Sequence, residues 1–137
     1  MISSKQHMSP GMIILESKDM VNWTTIGHVW DSLSWGPEYN WYRMGGYPFG
    51  EWDGDLAYHE GIWYCYKIDF KHGLFVSTTK KSRGPWSKSH QMLSADLIID
   101  DTAVYWDEEN HEAYLICTTG KKQKPTSNTI EGNENRL

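Results

Sequence analysis

A unit of strand, polar turn, tryptophan and return strand occurs twice in this chain and constrains the fold more than any other feature. The first copy is the apolar run Met12-Ile13-Ile14-Leu15 followed by Ser17-Lys18-Asp19-Met20-Val21-Asn22-Trp23. The second is Leu74-Phe75-Val76-Ser77-Thr78-Thr79, a basic turn, and Arg83-Gly84-Pro85-Trp86. In both, the Trp is expected to open the return strand. Aligning Trp23 with Trp86, and the strand around Tyr64 with the strand around Tyr114, gives a period of roughly fifty to sixty residues. That is longer than a WD40 unit and suits a propeller blade with elaborated loops. Such a repeat predicts stacked or radially arranged β-sheets.

Short apolar or alternating runs bounded by Gly, Pro, Asn and Asp predict the individual strands. They fall near Met12–Glu16, Thr24–Val29, Asp55–His59, Ile62–Ile68, Leu74–Thr79, Ala103–Trp106 and Ala113–Thr118. Tyr58-His59-Glu60-Gly61 reads as a hairpin turn, and Trp106 to His111 as a longer one. No window carries sustained helical periodicity. The reading is all-β, a β-propeller represented by about two blades and the start of a third, whereas closed propellers need at least four. Residues 1–120 form the propeller portion. The segment 121–137 is polar, has no strand pattern and is expected to be disordered.

The composition narrows the ligand. The chain has 8 Trp and 8 Tyr against 3 Phe, side chains that join a flat apolar face to a polar edge and so suit sugar rings. The net charge of −5 and the lack of a basic stripe speak against nucleic-acid binding. No apolar run is long enough to cross a membrane, and the first residues lack the basic and apolar regions of a leader. Cys65 and Cys117, both in apolar strands, read as free thiols with no metal spacing.

Four positions carry candidate chemistry. Asp101, with Asp100, heads the strand Ala103-Val104-Tyr105-Trp106; in a propeller the innermost strand lines the channel, and a carboxylate at its head can enter a shared pocket. From chemistry alone, two solvated turn aspartates are the plainer reading. Trp52 and Asp53 in Gly50-Glu51-Trp52-Asp53-Gly54-Asp55 set an indole beside a carboxylate, the pairing that holds a sugar by stacking and by hydrogen bonds. A core Trp beside a turn acid is an equal alternative there. His7 stands on the loop before the first long strand. Asp31 to Gly50 is a long aromatic loop of a functional kind. No nucleophile elbow, phosphate loop or Cys/His pattern occurs, so hydrolysis would fall to carboxylates, as in glycosidases.

Four motifs, in order, resemble glycoside hydrolase family 43, the five-bladed β-propeller enzymes that trim xylan and arabinan side chains. Pro10-Gly11 leading to Ser17-Lys18-Asp19-Met20-Val21-Asn22-Trp23 is similar to the family's "PG…SKDLVNW". Gly50 to Gly61 is similar to "G-x-WAP-x-I-x-YH-x-G", and Leu74 through Ser87 to "glfvat…GPWs". Asp100 to Glu109 is similar to "DDT-x-x-FWDDDG". The chain departs from the pattern where "WAP" becomes Trp52-Asp53-Gly54 and "DDDG" becomes Asp107-Glu108-Glu109-Asn110.

The resemblance implies an inverting glycosidase with three inward carboxylates. Asp101 falls on the aspartate that tunes the acid, Trp52 on the tryptophan that lines the sugar pocket and His7 on the loop that borders it, while Asp53 stands where the family has alanine, a change at the same pocket. It also implies that the base lies upstream of the position of Met1 and the acid glutamate well downstream of Asp101. The expected function is therefore a fragment of an enzyme acting on xylosyl or arabinofuranosyl linkages, inactive by itself. A non-catalytic carbohydrate-binding β-domain is the alternative, with the Trp35–Phe49 loop as its binder. No cofactor or metal site is expected, although some relatives hold calcium. The expected partner is an oligosaccharide or polysaccharide, with neither nucleic acid nor membrane; an oligomer that completes the propeller between chains is a further reading.

Overall fold

The computed structural model describes residues 1–5, 10–32, 51–52, 54–69, 71–96, 99–119 and 135–136. These residues form three antiparallel sheets, with no helix among them. The first sheet holds β1 (Ile2–Ser3), β2 (Gly11–Ser17) and β3 (Trp23–Trp30), in that order. The second is a meander of β4 (Gly54–His59), β5 (Ile62–Asp69), β6 (Gly73–Thr79) and β7 (His90–Ser94). In the third, β8 (Ile99–Asp107) pairs with β9 (Glu112–Thr119), which pairs on its other side with β10 (Asn135–Arg136).

Each of the seven expected strands is present. β1 and β7 were not foreseen, because neither has an apolar alternation long enough to register. The sequence also gave no strand beyond Gly120, yet Asn135 and Arg136 pair with Leu115 and Tyr114. One expectation is corrected: Trp23 opens its return strand, but Trp86 lies ahead of β7, which begins at His90. The reason lies in Gly84-Pro85, since proline has no N–H to give to a ladder. The connection stays on β6 through Ser87 N–H to the Thr78 carbonyl (2.8 Å) and Thr78 N–H to Ser87 Oγ (3.0 Å). The Trp86 ring packs on the core of the first sheet.

The turn chemistry is local. In Ser17–Trp23 the Asp19 Oδ1 accepts the Val21 and Asn22 amides at 2.9 and 2.7 Å, and Oδ2 accepts Asn22 Nδ2 at 2.7 Å. Ser17 Oγ accepts the Met20 amide, and the Trp23 indole N–H closes on the Met20 carbonyl. These hydrogen bonds to the ionised form hold the Asp19 carboxyl far below the usual carboxylate range. A carboxylate depressed in the folded state stabilises above its unfolded pKa, and that contribution is lost as pH falls through the folded value. Asp19→Ala should therefore lower the melting temperature at pH 7 and flatten the acid limb below about pH 4, measured by thermal melts across pH. An unchanged acid limb would count against this account of the turn.

The β4–β5 turn works differently. His59 pairs with Ile62, leaving a two-residue loop whose Glu60 and Gly61 both have positive φ, 46° and 81°. That is the backbone a tight hairpin with the native twist requires.

Strand β5 joins the sheets because its two faces serve different neighbours. Cys65 packs with Met12, Ile14, Val29 and Trp30 of the first sheet. Tyr66 and Ile68 pack with Leu74 and with Leu115 of the third. A buried hydrogen bond from Trp30 Nε1 to Ser77 Oγ (3.0 Å) ties the first two sheets, so the blades are locked by polar as well as apolar contacts. Matching the β2–β3 hairpin to the β6–β7 segment gives β1 the place of β5. Among the described residues the first sheet has no counterpart of β4.

Candidate active site

Strands β4 and β8, the leading strands of neighbouring sheets, lie side by side and run the same way. Asp55, near the start of β4, accepts the amide of Val104 in the middle of β8 with its Oδ2 at 2.9 Å, while its Oδ1 accepts the Leu56 amide at 2.8 Å. Near their ends the His59 ring stacks on Trp106 with centroids 4.0 Å apart and planes 6° apart, and His59 Nδ1 meets Glu108 Oε1 at 3.1 Å. Trp52 precedes Asp55 by three positions, as Asp101 precedes Val104. Both therefore stand on the N-terminal side of the tie.

Each of the two has a distinct setting. Trp52 keeps 40% of its surface exposed, an unusual allowance for the largest apolar side chain. Asp101 is exposed and adopts φ 49°, inside an irregularity where the β8–β9 register shifts between Asp100 and Ala103. Bulges re-aim side chains and gather at active sites, and a non-glycine residue at positive φ is held only by its surroundings. His7, Asp53 and the aromatic loop from 33 to 50 lie outside the described residues.

Sequence reasoning missed a buried polar group formed by Glu51 and two residues of β5. Glu51, Lys67 and Asp69 each have 0% relative exposure. Lys67 and Asp69 follow Cys65 on the β5 face turned to the first sheet, the last place where alternation would put a charge. Lys67 Nζ stands 3.7 Å from Asp69 Oδ2, an ion pair too long for a good hydrogen bond. It also lies 5.9 and 5.8 Å from the ring centres of Trp30 and Phe75. Burial pulls Lys67 down to about 7, with Asp69 and Glu51 opposing the fall. Asp69 Oδ1 accepts the Lys71 and His72 amides and meets His72 Nδ1 at 3.0 Å. Burial pushes the Glu51 carboxyl up, and hydrogen bonds from backbone amides pull it back. The signal available in the sequence was the break in an apolar run, Ile62-Trp63-Tyr64-Cys65-Tyr66-Lys67-Ile68-Asp69.

A cleft lies elsewhere. It encloses about 460 Å³ at the opposite end of β4 and β8, between His59, Tyr64, Trp106, Glu108, His111 and Glu112. The turn acids are built into that end: Glu108 meets His59, and Asp107 accepts the Glu109 and Asn110 amides, both at 3.1 Å. Among the described residues no group of three or more His, Cys, Asp or Glu is placed to hold a metal ion. Cys65 is buried and Cys117 half-buried, both as free thiols. Among the described residues no helix is long and apolar enough to cross a membrane.

The comparisons fit this geometry. The family model described as glycosyl hydrolases family 43 matches residues 1–135. A β-xylosidase of Formosa agariphila is 68% identical across all of this chain, which covers 23% of that protein. A non-reducing end α-L-arabinofuranosidase of Bacteroides ovatus is 30% identical over 64% of this chain, or 17% of its own length. Among solved structures, a bifunctional GH43-CE protein of Bacteroides eggerthii matches with a TM-score of 0.70 and 29% identity, over 88% of this chain and 17% of that one. The GH43 protein BlXynB of Bacillus licheniformis shares the fold with a TM-score of 0.66 at 21% identity, over 85% of this chain and 24% of that one. This chain thus spans about a quarter or less of each of these relatives. The sheets are blades of a partial five-bladed β-propeller, and the chain belongs to glycosyl hydrolase family 43.

Proposed function

We propose that this chain supplies one side of the substrate pocket and the acid-tuning carboxylate of an enzyme that releases xylosyl or arabinofuranosyl units from plant polysaccharides. Inversion at the anomeric carbon is part of this reading. Asp101 is the tuning residue: its negative charge would raise the pKa of a neighbouring glutamic acid, so that a proton is available for the leaving oxygen near neutral pH. Trp52 is the stacking wall, with Asp53 and His7 as hydrogen-bonding partners of the sugar. The observation that supports the reading is the hydrogen bond from Val104 to Asp55, which joins the leading strands of two sheets, with Trp52 and Asp101 each three positions ahead of it in sequence.

A single carboxylate neither donates a proton nor activates water in a two-carboxylate mechanism. This chain alone should therefore bind xylo- or arabino-oligosaccharides but release no nitrophenol from nitrophenyl xyloside or arabinofuranoside. Binding should quench Trp fluorescence, and Trp52→Ala should weaken it by about 3- to 10-fold, the range expected of one aromatic stacking contact. Equal affinity in Trp52→Ala would remove Trp52 from the pocket. Turnover by the chain itself would refute the assignment of the base and the acid to other parts of the enzyme.

A further inference from the structure

Glu51, next to Trp52, is fully buried, and it holds two distant pieces of backbone. Its Oε1 accepts the Lys5 amide at 3.0 Å and the Met12 amide at 2.7 Å, while its own carbonyl receives Ser4 Oγ at 3.4 Å. The two amides flank the connection between β1 and β2 that carries His7. One carboxylate oxygen thus anchors both ends of that connection to the residue beside Trp52. Oε2 is buried with no hydrogen-bond partner among the described residues.

A second observation shows that the anchor works against resistance. Met12 adopts φ 49°, a left-handed conformation that a side-chain-bearing residue holds only when its surroundings impose it. Its side chain is 1% exposed in the core of the first sheet, and its amide makes the shorter of the two bonds to Glu51. A Cβ added at Gly54 would collide with Met12 Cε and with the Tyr66 carbonyl oxygen, so the backbone leading out of Trp52 lies hard against the same residue. Burial opposes ionisation of Glu51, whereas the two amides and Lys67 favour it, and in the ionised form each bond is charge-assisted and stronger.

We propose that Glu51 is a positioning residue, whose buried carboxylate ties Lys5 and Met12 to the residue preceding Trp52 and thereby holds the indole in place for the saccharide. The proposal rests on the reading of Trp52 as the sugar wall. It explains why an acid sits next to an exposed indole but turns away from it. It also predicts that the two amides respond together to any change at Glu51.

The test uses the whole chain with Glu51→Gln and Glu51→Ala, read by amide hydrogen exchange at Lys5 and Met12, by the Trp52 indole N–H resonance and by xylo-oligosaccharide titration. Glutamine keeps an acceptor in the same place, so Glu51→Gln should retain most of the protection and stay within about 3-fold of the original affinity. Glu51→Ala should lose 10-fold or more of the protection at both amides, shift the Trp52 resonance and weaken binding at least 5-fold. Should the alanine variant fail to fold, Glu51→Asp, one methylene short of the amides, should show the same pattern in weaker form. Protection unchanged in a folded alanine or aspartate variant would overturn the clamp. Protection lost with Trp52 and affinity unchanged would reduce Glu51 to a stabilising residue and overturn its positioning role. Protection lost in a chain that binds no saccharide even before substitution would leave the clamp in place but overturn the sugar reading, and the pocket half of this proposal with it.

Discussion

Lys67→Met should raise the free energy of unfolding at pH 6 by up to about 5 kcal/mol, the free energy that separates a folded pKa of about 7 from an ordinary 10.5. The buried ammonium costs more than Asp69 and Glu51 return. Asp69 keeps the Lys71 and His72 amides and the His72 ring after the ammonium is gone. Glu51, with one oxygen lacking a partner among the described residues, can take up a proton instead. Urea unfolding at pH 6 measures the gain.

The pH dependence of the unsubstituted chain gives an independent check. The pKa of Lys67 is about 7 in the folded state, against an ordinary 10.5. Between those values the unfolded chain binds the extra proton, so this group makes stability rise as pH increases through that window. Lys67→Met should lack that rise. A variant as stable as the original at pH 6, or one that keeps the same rise, would mean that the ammonium is not confined as described.

Asp101→Asn should reduce kcat by about 100-fold in a polypeptide spanning the full length of the family's enzymes, since general acid catalysis contributes about 10²–10⁴ and only the acid's tuning is disturbed. The sign of the accompanying pH shift follows from the charge. An ionised aspartate raises the acid's pKa; a neutral amide does not, so the acid loses its proton at lower pH. The alkaline limb of the kcat profile should therefore move to lower pH, while KM changes less than kcat. An unaltered rate and profile would remove Asp101 from the catalytic group. A large change in KM with kcat preserved would make it a binding residue instead.

Much of the fold was legible because local chemistry writes it. The Ser17–Trp23 turn with its return strand, the Glu60-Gly61 hairpin and the alternation in β5 each follow from turn residues and side-chain period. The strand at His90–Ser94 was hidden because an edge strand with exposed residues need not alternate. Trp86 misled because its likeness to Trp23 was one of sequence, whereas Pro85 determines where pairing can resume. Of the candidate site, Trp52 and Asp101 could be named from their motifs, but the tie between the strands that follow them, Asp55 to Val104, joins residues 49 positions apart. Glu51, Lys67 and Asp69 were invisible for a related reason. A charge in an apolar run reads as a strand end until the neighbouring sheet covers it.

The division of labour on β5 has a consequence for how this protein can change. Inserting or deleting one residue before Cys65 would exchange the two faces of the strand. The ammonium and carboxylate would then meet Leu115, and two tyrosines would press into the space that Cys65 and Met12 fill. Neither side could absorb the error by small adjustments, because both are close-packed. Variation in this blade should therefore arrive as substitutions along β5 and as length changes only in the turns outside it.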